Sequence, residues 1–319
     1  MNSKKQVHFT SCPLCGSNHL ASDKLYTDRY VSGEKFTLVR CSDCGFLFTQ
    51  DFPDQTVIHK YYESKDYISH SDTHKGIVNH VYHQVRRFMI NRKAGILRKA
   101  LKNNQLAIHS PRLLDIGTGT GYFSYSMKQK GWDVTATEAN ETARTFALNH
   151  FNFKILPIKA LDEFRPHSFE VITLWHVLEH IQDLHQTVDK LHELLVDHGV
   201  LVLALPNHSS KDALHYKDAW AAYDAPRHLW HFNPDTLDKL ANRHGFEVVK
   251  KYAMPFDTYY VSMLTEKELH HTMPFVRGMF HGLVSHIKSL LSGVNSSSSV
   301  IYVLNKKTTT NKEKQHEQR

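Results

Sequence analysis

The feature that most constrains this chain is a glycine-rich turn that follows a predicted strand. The apolar run LLDI at 113–116 predicts a buried parallel strand. Gly117, Gly119 and Gly121 follow at every second position, and helical spacing then runs through 122–130. Such a turn lets a ligand lie close to the backbone, at a helix N-terminus whose N–H groups are free to bind it. The segment therefore predicts one βαβ unit of a nucleotide-binding α/β sheet.

An acidic residue ends the second strand of that unit. The strand predicted over 133–137 leads to Glu138, about twenty positions after the turn, where a carboxylate can bind both hydroxyls of a ribose. Two ligand classes fit this geometry. A dinucleotide site requires G-x-G-x-x-G, with its third glycine inside the helix. The pattern here is D-x-G-x-G-x-G starting at Asp115, and it resembles the turn of class I S-adenosylmethionine (SAM) methyltransferases.

Composition places the chain among ordinary globular proteins and excludes few partners. The sequence has no run of about 18 apolar residues and its start lacks an apolar signal region, so we expect a cytoplasmic protein without a transmembrane helix. The formal net charge of +7 is compatible with an anionic acceptor, RNA or a lipid surface and does not distinguish among them.

The four cysteines of the chain form two C-x-x-C pairs near the N-terminus. They are Cys12, Cys15, Cys41 and Cys44. A glycine follows each pair, which suits a tight turn around a metal ligand. Four thiolates predict a tetrahedral structural site for zinc or an iron-like substitute, because four protein ligands leave no position for water. Disulfides are the less favoured alternative in a reducing compartment. Residues 1–49 are therefore predicted to form a zinc ribbon.

Residues 50–109 are predicted to be a tyrosine-rich connector and a long helix. Tyr61, Tyr62 and Tyr67 either pack against the neighbouring domains or form a lid over the SAM pocket. The pattern over 76–106 predicts an amphipathic helix with a basic face. That face is either a solvated surface or a stripe that binds nucleic acid.

Several longer segments together resemble one branch of the SAM-dependent methyltransferases, which often carries an N-terminal four-cysteine segment. They are LLDIGTGTG, Glu138, SFEVITLWHVLEHI and YDAPRHLWHFNPDTLDKLANRHGFEVV. The resemblance covers about residues 10 to 305. It implies an α/β fold with a Rossmann-like seven-stranded class I methyltransferase sheet, ordered 3-2-1-4-5-7-6 with strand 7 antiparallel. This domain is predicted over 110–305.

The predicted SAM site combines the turn, the strand end and two further segments. Its residues are Asp115, Gly117, Thr118, Gly119, Gly121, Glu138, Ala160, Leu161 and His176. Ala160 and Leu161 are included because their loop leaves the carboxyl end of a predicted strand (153–158), where open α/β sheets bind ligands. The resemblance implies that His176 lies near the transferred methyl group.

A methyl acceptor that is a hydroxyl or an enolisable carbon must lose a proton, and a histidine suits that task. We predict His228 as the base, with His176 second and His231 as a further candidate. Arg227 could hold an anionic group of the acceptor. The alternative is that Arg227 and these histidines form a hydrogen-bonded loop scaffold, in which His180 is also structural.

A helical insertion is predicted at 253–298, before the last strand, and the polar tail 306–319 is predicted to be disordered. Apolar residues recur at helical spacing over 275–291. This helix covers the acceptor cleft, forms a dimer contact or binds a membrane surface.

The sequence thus predicts a zinc-ribbon-bearing SAM-dependent methyltransferase. We expect its acceptor to be small or carrier-linked, such as a sugar or glycan intermediate. An RNA methyltransferase that uses the ribbon and the basic helix is one alternative. A non-catalytic SAM- or zinc-binding interaction module is another.

Overall fold

The computed structural model describes residues 6–62, 77–106 and 108–307. Tyr67 of the connector and the predicted tail beyond residue 307 lie outside these ranges. The strands are β1 (Gln6–Val7), β2 (Leu20–Thr27), β3 (Lys35–Cys41), β4 (Leu47–Thr49), β5 (Phe52–Pro53), β6 (Arg112–Ile116), β7 (Asp133–Glu138), β8 (Leu156–Pro157), β9 (Phe169–Trp175), β10 (Leu195–Pro206), β11 (Trp230–His231), β12 (Phe246–Ala253) and β13 (Ser299–Lys306). The α-helices are α1 (Ile77–Asn103), α2 (Tyr122–Gln129), α3 (Glu141–Phe151), α4 (Leu184–Leu194), α5 (Lys211–Tyr216), α6 (Pro234–Arg243), α7 (Asp257–Glu268) and α8 (Pro274–Ser292).

Seven strands form the central sheet, in the order β8-β7-β6-β9-β10-β13-β12. Strand β13 runs antiparallel to both of its neighbours, and the pairs from β8 to β10 are parallel. The predicted class I methyltransferase order is confirmed. The apolar runs of β9 and β10 are buried on both faces of the sheet, as parallel strands require. Strand β6 lies between β7 and β9, and the glycine turn follows its carboxyl end.

The third strand along the chain is shorter than predicted. The sequence predicts a strand over 153–158, but only Leu156 and Pro157 pair with β7. The side chains of Phe153 and Ile155 instead pack with Ala147 behind the sheet. Because this is an edge strand, a proline without an N–H can end it at little cost.

The insertion before β13 contains two helices, α7 and α8, where the sequence predicts one. The buried residues of α8 are its small ones: Gly278, Gly282 and Ser285. A Cβ atom at Gly278 would lie 2.4 Å from Cα of Met263, so the two helices are in backbone contact on this side. The large apolar residues of α8 are exposed on its other side: Phe275, Val276, Met279, Phe280, Leu283, Ile287, Leu290 and Leu291.

The ribbon shares a sheet with the rest of the chain. A second sheet has the order β11-β4-β3-β2, and β11 comes from the loop that precedes α6. Trp230 pairs with Phe48 and His231 with Leu47 in antiparallel register. The rings of Phe46 and Trp230 stack with centroids 6.2 Å apart. The ribbon is therefore attached to the sheet domain by both backbone hydrogen bonds and an aromatic cluster.

Within the described ranges, every helix is too short or too polar to cross a lipid bilayer.

Candidate active site at the carboxyl edge of the sheet

The glycine turn between β6 and α2 has one open position and two closed ones. Gly117, Gly119 and Gly121 all have positive φ angles, of 67°, 59° and 81°. A Cβ atom at Gly117 would lie 2.5 Å from Val177, and one at Gly121 would lie 3.0 Å from Ile155. A Cβ atom at Gly119 would meet nothing within 4 Å. The outer glycines allow close packing, and the middle one faces space in which a ligand can lie against the backbone.

Glu138 is fixed beside this open position. Its Oε2 atom accepts a hydrogen bond of 2.8 Å from the N–H of Gly119. Its Oε1 atom accepts one of 2.9 Å from the N–H of Asn140. A carboxylate has about four acceptor positions, so this arrangement leaves capacity for the two hydroxyls of a ribose. The geometry fits the predicted role of Glu138, and that role stays a prediction.

Asp115 is buried inside the turn. Its carboxylate accepts hydrogen bonds of 2.6 Å from the hydroxyls of Ser124 and Thr173. Burial raises the pKa of Asp115, although these hydroxyls favour its charged form. The Thr118 hydroxyl lies 2.8 Å from that of Ser124 and extends the network. Asp115 and Thr118 therefore hold the turn in shape.

Ala160 and Leu161 lie in a short 3-10 helix, Ile158–Glu163, that leaves the carboxyl end of β8. Ala160 is buried and Leu161 is half-buried. Their place at this edge is the predicted one, and their contact with an adenine stays a prediction.

Three basic residues of α1 contact other parts of the molecule. The ammonium of Lys93 lies 4.1 Å from the ring centroid of Trp175, and burial lowers its pKa to about 8. The guanidinium of Arg92 donates to a carbonyl of β12, and that of Arg86 lies 3.6 Å from the ring centroid of Tyr122. Part of the predicted basic face therefore packs α1 against the domain.

His176 follows β9 and adopts a left-handed backbone conformation with φ of 58°. Its Nε2 atom lies 3.2 Å from Oδ2 of Asp257, and its Nδ1 atom lies 3.5 Å from Oε1 of Glu179. Burial favours the neutral ring, but the two carboxylates outweigh it and raise the pKa of His176 to about 9. The two carboxylates therefore favour the protonated ring, which would have to lose that proton before it could act as a base.

Asp257 was not anticipated as a site residue. It lies at the start of α7, in the insertion, and no sequence motif surrounds it. Its only signal is an acidic residue in the first turn of a helix, which is common because it stabilises the helix dipole. Its approach to His176 depends on the packing of α7 against the sheet edge.

Glu179, His180 and His228 form a cluster next to His176. One potential ligand atom from each lies within 4.8 Å of the others. The rings of His180 and His228 have centroids 4.6 Å apart. Burial, with a smaller contribution from His228, lowers the pKa of His180 to about 4, so that ring is neutral. The sequence pattern favours a structural role for His180. It does not predict that His180 lies in one cluster with Glu179 and His228.

Arg227 does not face this cluster. Its side chain is 0% exposed, and its guanidinium lies 2.9 Å from Asp28 and 3.0 Å from Asp224. It also donates to the backbone carbonyl of Tyr61. The expectation that Arg227 holds an anionic acceptor is wrong, because its guanidinium is buried in the interface with the ribbon and already binds these partners.

His231 also lies in that interface. It is buried, and its Nε2 atom lies 3.1 Å from the hydroxyl of Thr49 in β4. Of the loop 224–231, His228 is the histidine whose ring reaches the cluster. The catalytic roles of His228, His176 and His231 stay predictions, and the positions of Arg227 and His231 match the scaffold alternative.

The two described tyrosines of the connector have different partners. Tyr61 is buried, and its hydroxyl donates to Glu34 of the ribbon at 2.8 Å. The hydroxyl of Tyr62 lies 3.2 Å from Nδ1 of His180. Tyr61 therefore packs as a linker residue would, whereas Tyr62 reaches the site.

The four cysteines lie close enough to bind one metal ion, because their sulfur atoms are all within 4.8 Å of one another. The Sγ atoms of Cys12 and Cys44 are 3.5 Å apart, and those of Cys15 and Cys41 are 3.6 Å apart. Zinc–sulfur bonds of about 2.3 Å in a tetrahedron give sulfur separations of about 3.8 Å. The site therefore fits zinc.

The chain matches a family model described as "Methyltransferase domain" over residues 82–251, which is more than half of its 319 residues. It is 29% identical to a ubiquinone biosynthesis O-methyltransferase of Psychrobacter arcticus over 161 residues, 46% of this chain and 62% of that protein. It is 31% identical to the protein of that name from Neisseria meningitidis serogroup C over 170 residues, 48% of this chain and 70% of that protein. The match thus spans less than two thirds of the Psychrobacter relative.

A solved structure shares the fold at low identity. It is phosphoethanolamine N-methyltransferase 2 of Haemonchus contortus, in complex with S-adenosyl-L-methionine. The similarity has a TM-score of 0.50 at 14% identity and covers 91% of this chain and 69% of that one.

Proposed function

The chain belongs to the class I SAM-dependent methyltransferases, and on that basis we propose that it transfers a methyl group from SAM to an oxygen atom of a small or carrier-linked acceptor. The main support for SAM as the methyl donor is the position of Glu138. The N–H groups of Gly119 and Asn140 hold its carboxylate beside the open position of the turn. The name of the curated relatives, O-methyltransferase, supports oxygen as the accepting atom.

SAM supplies a methyl group that is already activated on a sulfonium sulfur. In the transfer, a bond forms between the acceptor oxygen and the methyl carbon, and the carbon–sulfur bond breaks with its electrons left on sulfur. The hydroxyl proton must leave the acceptor, so the protein has to align the acceptor and receive or release that proton.

The residues of the acceptor side divide these tasks. His176 is protonated between Asp257 and Glu179 and therefore positions its neighbours. His228 donates through Nδ1 to the carbonyl of Ala222 at 2.9 Å, which leaves Nε2 for the acceptor. Val177, the residue after His176, links the acceptor side to the glycine turn, because its methyl groups pack on Gly117. We propose His228 as the group that meets the acceptor hydroxyl.

The acceptor is proposed to be carrier-linked, such as a sugar or glycan intermediate, and to be met at a membrane surface through α8. Small residues of α8 face α7, so its large apolar residues are exposed, Leu291 by 85%. The helix contains no Asp or Glu and carries Lys288 and Arg277, and the guanidinium of Arg277 pairs with Glu266 of α7 at 2.6 Å. An exposed apolar face beside Lys288, on a helix without acidic residues, suits the interface of an anionic bilayer.

RNA is the less favoured acceptor. Lys93, Arg92 and Arg86 of α1 pack against the domain, which reduces the basic surface available to phosphates. An RNA-binding enzyme would lose affinity steeply as salt is raised.

The proposal is tested by incubating the protein and SAM labelled in its methyl group with fractions of a cell extract. We expect label in the lipid, glycan or soluble fraction, retained when the salt concentration is raised. Label confined to the nucleic-acid fraction would favour the RNA alternative. Binding of SAM without transfer into any fraction would favour a non-catalytic module.

A further inference from the structure

Glu179 is a buried carboxylate whose one described ionic contact is with His176. Its side chain is 1% exposed, and neither carboxylate oxygen has a hydrogen-bond donor among the residues that the structure describes. The contact with His176 is ionic, at 3.5 Å. A buried carboxylate is costly unless it is hydrogen-bonded, well paired or bound to a metal ion. His176 faces Oε1, and Oε2 is therefore left for a further cationic partner.

Two imidazoles beside Glu179 are oriented as metal ligands usually are. Nδ1 of His180 lies 3.0 Å from the carbonyl of Arg227, and Nδ1 of His228 lies 2.9 Å from the carbonyl of Ala222. A carbonyl only accepts, so each Nδ1 carries a proton. Nε2 of each ring is then the nitrogen left to bind an ion, and backbone carbonyls commonly fix histidine ligands in this way.

We propose that Glu179, His180 and His228 bind a divalent transition-metal ion, through one carboxylate oxygen and two imidazole nitrogens. One potential ligand atom of each residue lies within 4.8 Å of the others. Metal–ligand bonds of about 2.0–2.2 Å place neighbouring ligand atoms about 3–4 Å apart, so side-chain shifts of less than about 1 Å close the site. Two imidazoles and a carboxylate suit zinc, manganese, iron, cobalt or nickel better than calcium.

This inference rests on the proposed methyl transfer for its chemical role. Three protein ligands leave coordination positions open, as in catalytic metal sites and unlike the four-cysteine site of the ribbon. An acceptor oxygen that binds there loses its proton more easily, because a bound cation lowers the pKa of the hydroxyl. The acceptor class is then a molecule with an ionisable hydroxyl. With the ion bound, Nε2 of His228 is a ligand, so the ion replaces the direct contact between this ring and the acceptor hydroxyl.

The test uses the full chain with its ribbon zinc in place. Mn²⁺ is titrated into the protein while the free ion is followed by electron paramagnetic resonance, and zinc content is measured after dialysis against Zn²⁺. We expect one Mn²⁺ per chain, or a second zinc ion. Glu179→Gln and His228→Gln should each weaken Mn²⁺ binding at least tenfold. His167→Gln, which changes an exposed ring at the amino end of β9, is the matched control and should bind like the wild type.

Calorimetry of SAM binding on the same samples separates this proposal from the proposed function. Wild-type protein that binds SAM but neither Mn²⁺ nor a second zinc ion would overturn the metal site and leave methyl transfer intact. Equal Mn²⁺ affinity in the wild type and both variants would overturn it as well. Metal binding without SAM binding would instead refute the methyltransferase activity. If Glu179→Gln fails to fold, His228→Gln decides alone.

Discussion

The proposed donor side and the proposed acceptor side of the site are built in different ways. The donor side, with its three glycines and Glu138, lies within the single stretch 112–140, and its contacts are made by nearby strands. The acceptor side takes His176 and Glu179 from the end of β9, His228 from the loop before β11 and Asp257 from the insertion. The donor side therefore depends on local backbone geometry, and the acceptor side depends on how separate parts of the chain pack.

The ribbon contributes to the acceptor side through that packing. Arg227, next to His228, is held by the buried carboxylate of Asp28 in the ribbon. The Thr49 hydroxyl of β4 donates to the carbonyl of His228 at 2.8 Å. Breaking a buried ion pair costs about 3–5 kcal/mol, so loss of the ribbon should displace His228 while the glycine turn remains.

The largest expected effect comes from removing a cysteine. Cys12→Ser should reduce zinc from about one ion per chain to none in the ribbon, because three thiolates hold structural zinc poorly and so small a ribbon does not fold without it. Methyl transfer should be lost while SAM affinity stays within a few-fold of wild type. Emission spectrometry and calorimetry measure the two quantities.

Ser42→Ala, an exposed position inside the second knuckle, is the control and should keep both zinc and activity. If SAM binding disappeared together with zinc, the two sides would not be separable in the way described. A zinc-free protein with an intact, protease-resistant ribbon would refute the metal site itself.

The second largest effect is expected from a change on the donor side, which should weaken SAM binding and leave the ribbon intact. Glu138→Ala should weaken SAM binding about 100-fold, because hydrogen bonds to a charged group contribute about 1.5–3 kcal/mol each. Ribbon zinc should be unchanged. Glu138→Gln keeps one acceptor oxygen and should lose less, and Glu141→Ala, an exposed residue at the start of α3, should lose nothing. Unchanged SAM affinity in Glu138→Ala would mean that another group holds the ribose.

The smallest effect concerns α8, which lies on the acceptor side. The double variant Leu283→Glu/Ile287→Glu should bind anionic phospholipid vesicles at least tenfold more weakly than the wild type, since each apolar side chain contributes about 1.5–3 kcal/mol when it leaves water. Vesicle sedimentation measures the bound fraction. Leu148→Glu/Val249→Glu changes exposed apolar residues elsewhere and is the control. A wild-type dimer that the α8 variant dissociates, without vesicle binding, would show that a second copy covers this face.

Much of the fold was predictable because its signals are local. Apolar runs locate several of the strands. The family resemblance implies the order and direction of the seven strands, and both are confirmed. Asn233 caps α6 by accepting a hydrogen bond from the backbone N–H of Thr236 at 2.9 Å. Local patterns did not reveal α7, because its polar and apolar residues form no clear stripe. They also did not reveal that the large residues of α8 are exposed, because that exposure depends on the contact between the glycines of α8 and α7.

The proposed donor side and the candidate metal ligands of the ribbon were predictable from the sequence, because a glycine turn, a strand-end carboxylate and a C-x-x-C pair each act within a few residues. Only the tertiary structure decided what the loop 224–231 does. Its Arg227 and His231 bind the ribbon, and its His228 meets Glu179 and His180. A charged side chain binds whichever partner the fold buries beside it, and that partner, Asp28, lies far away along the chain.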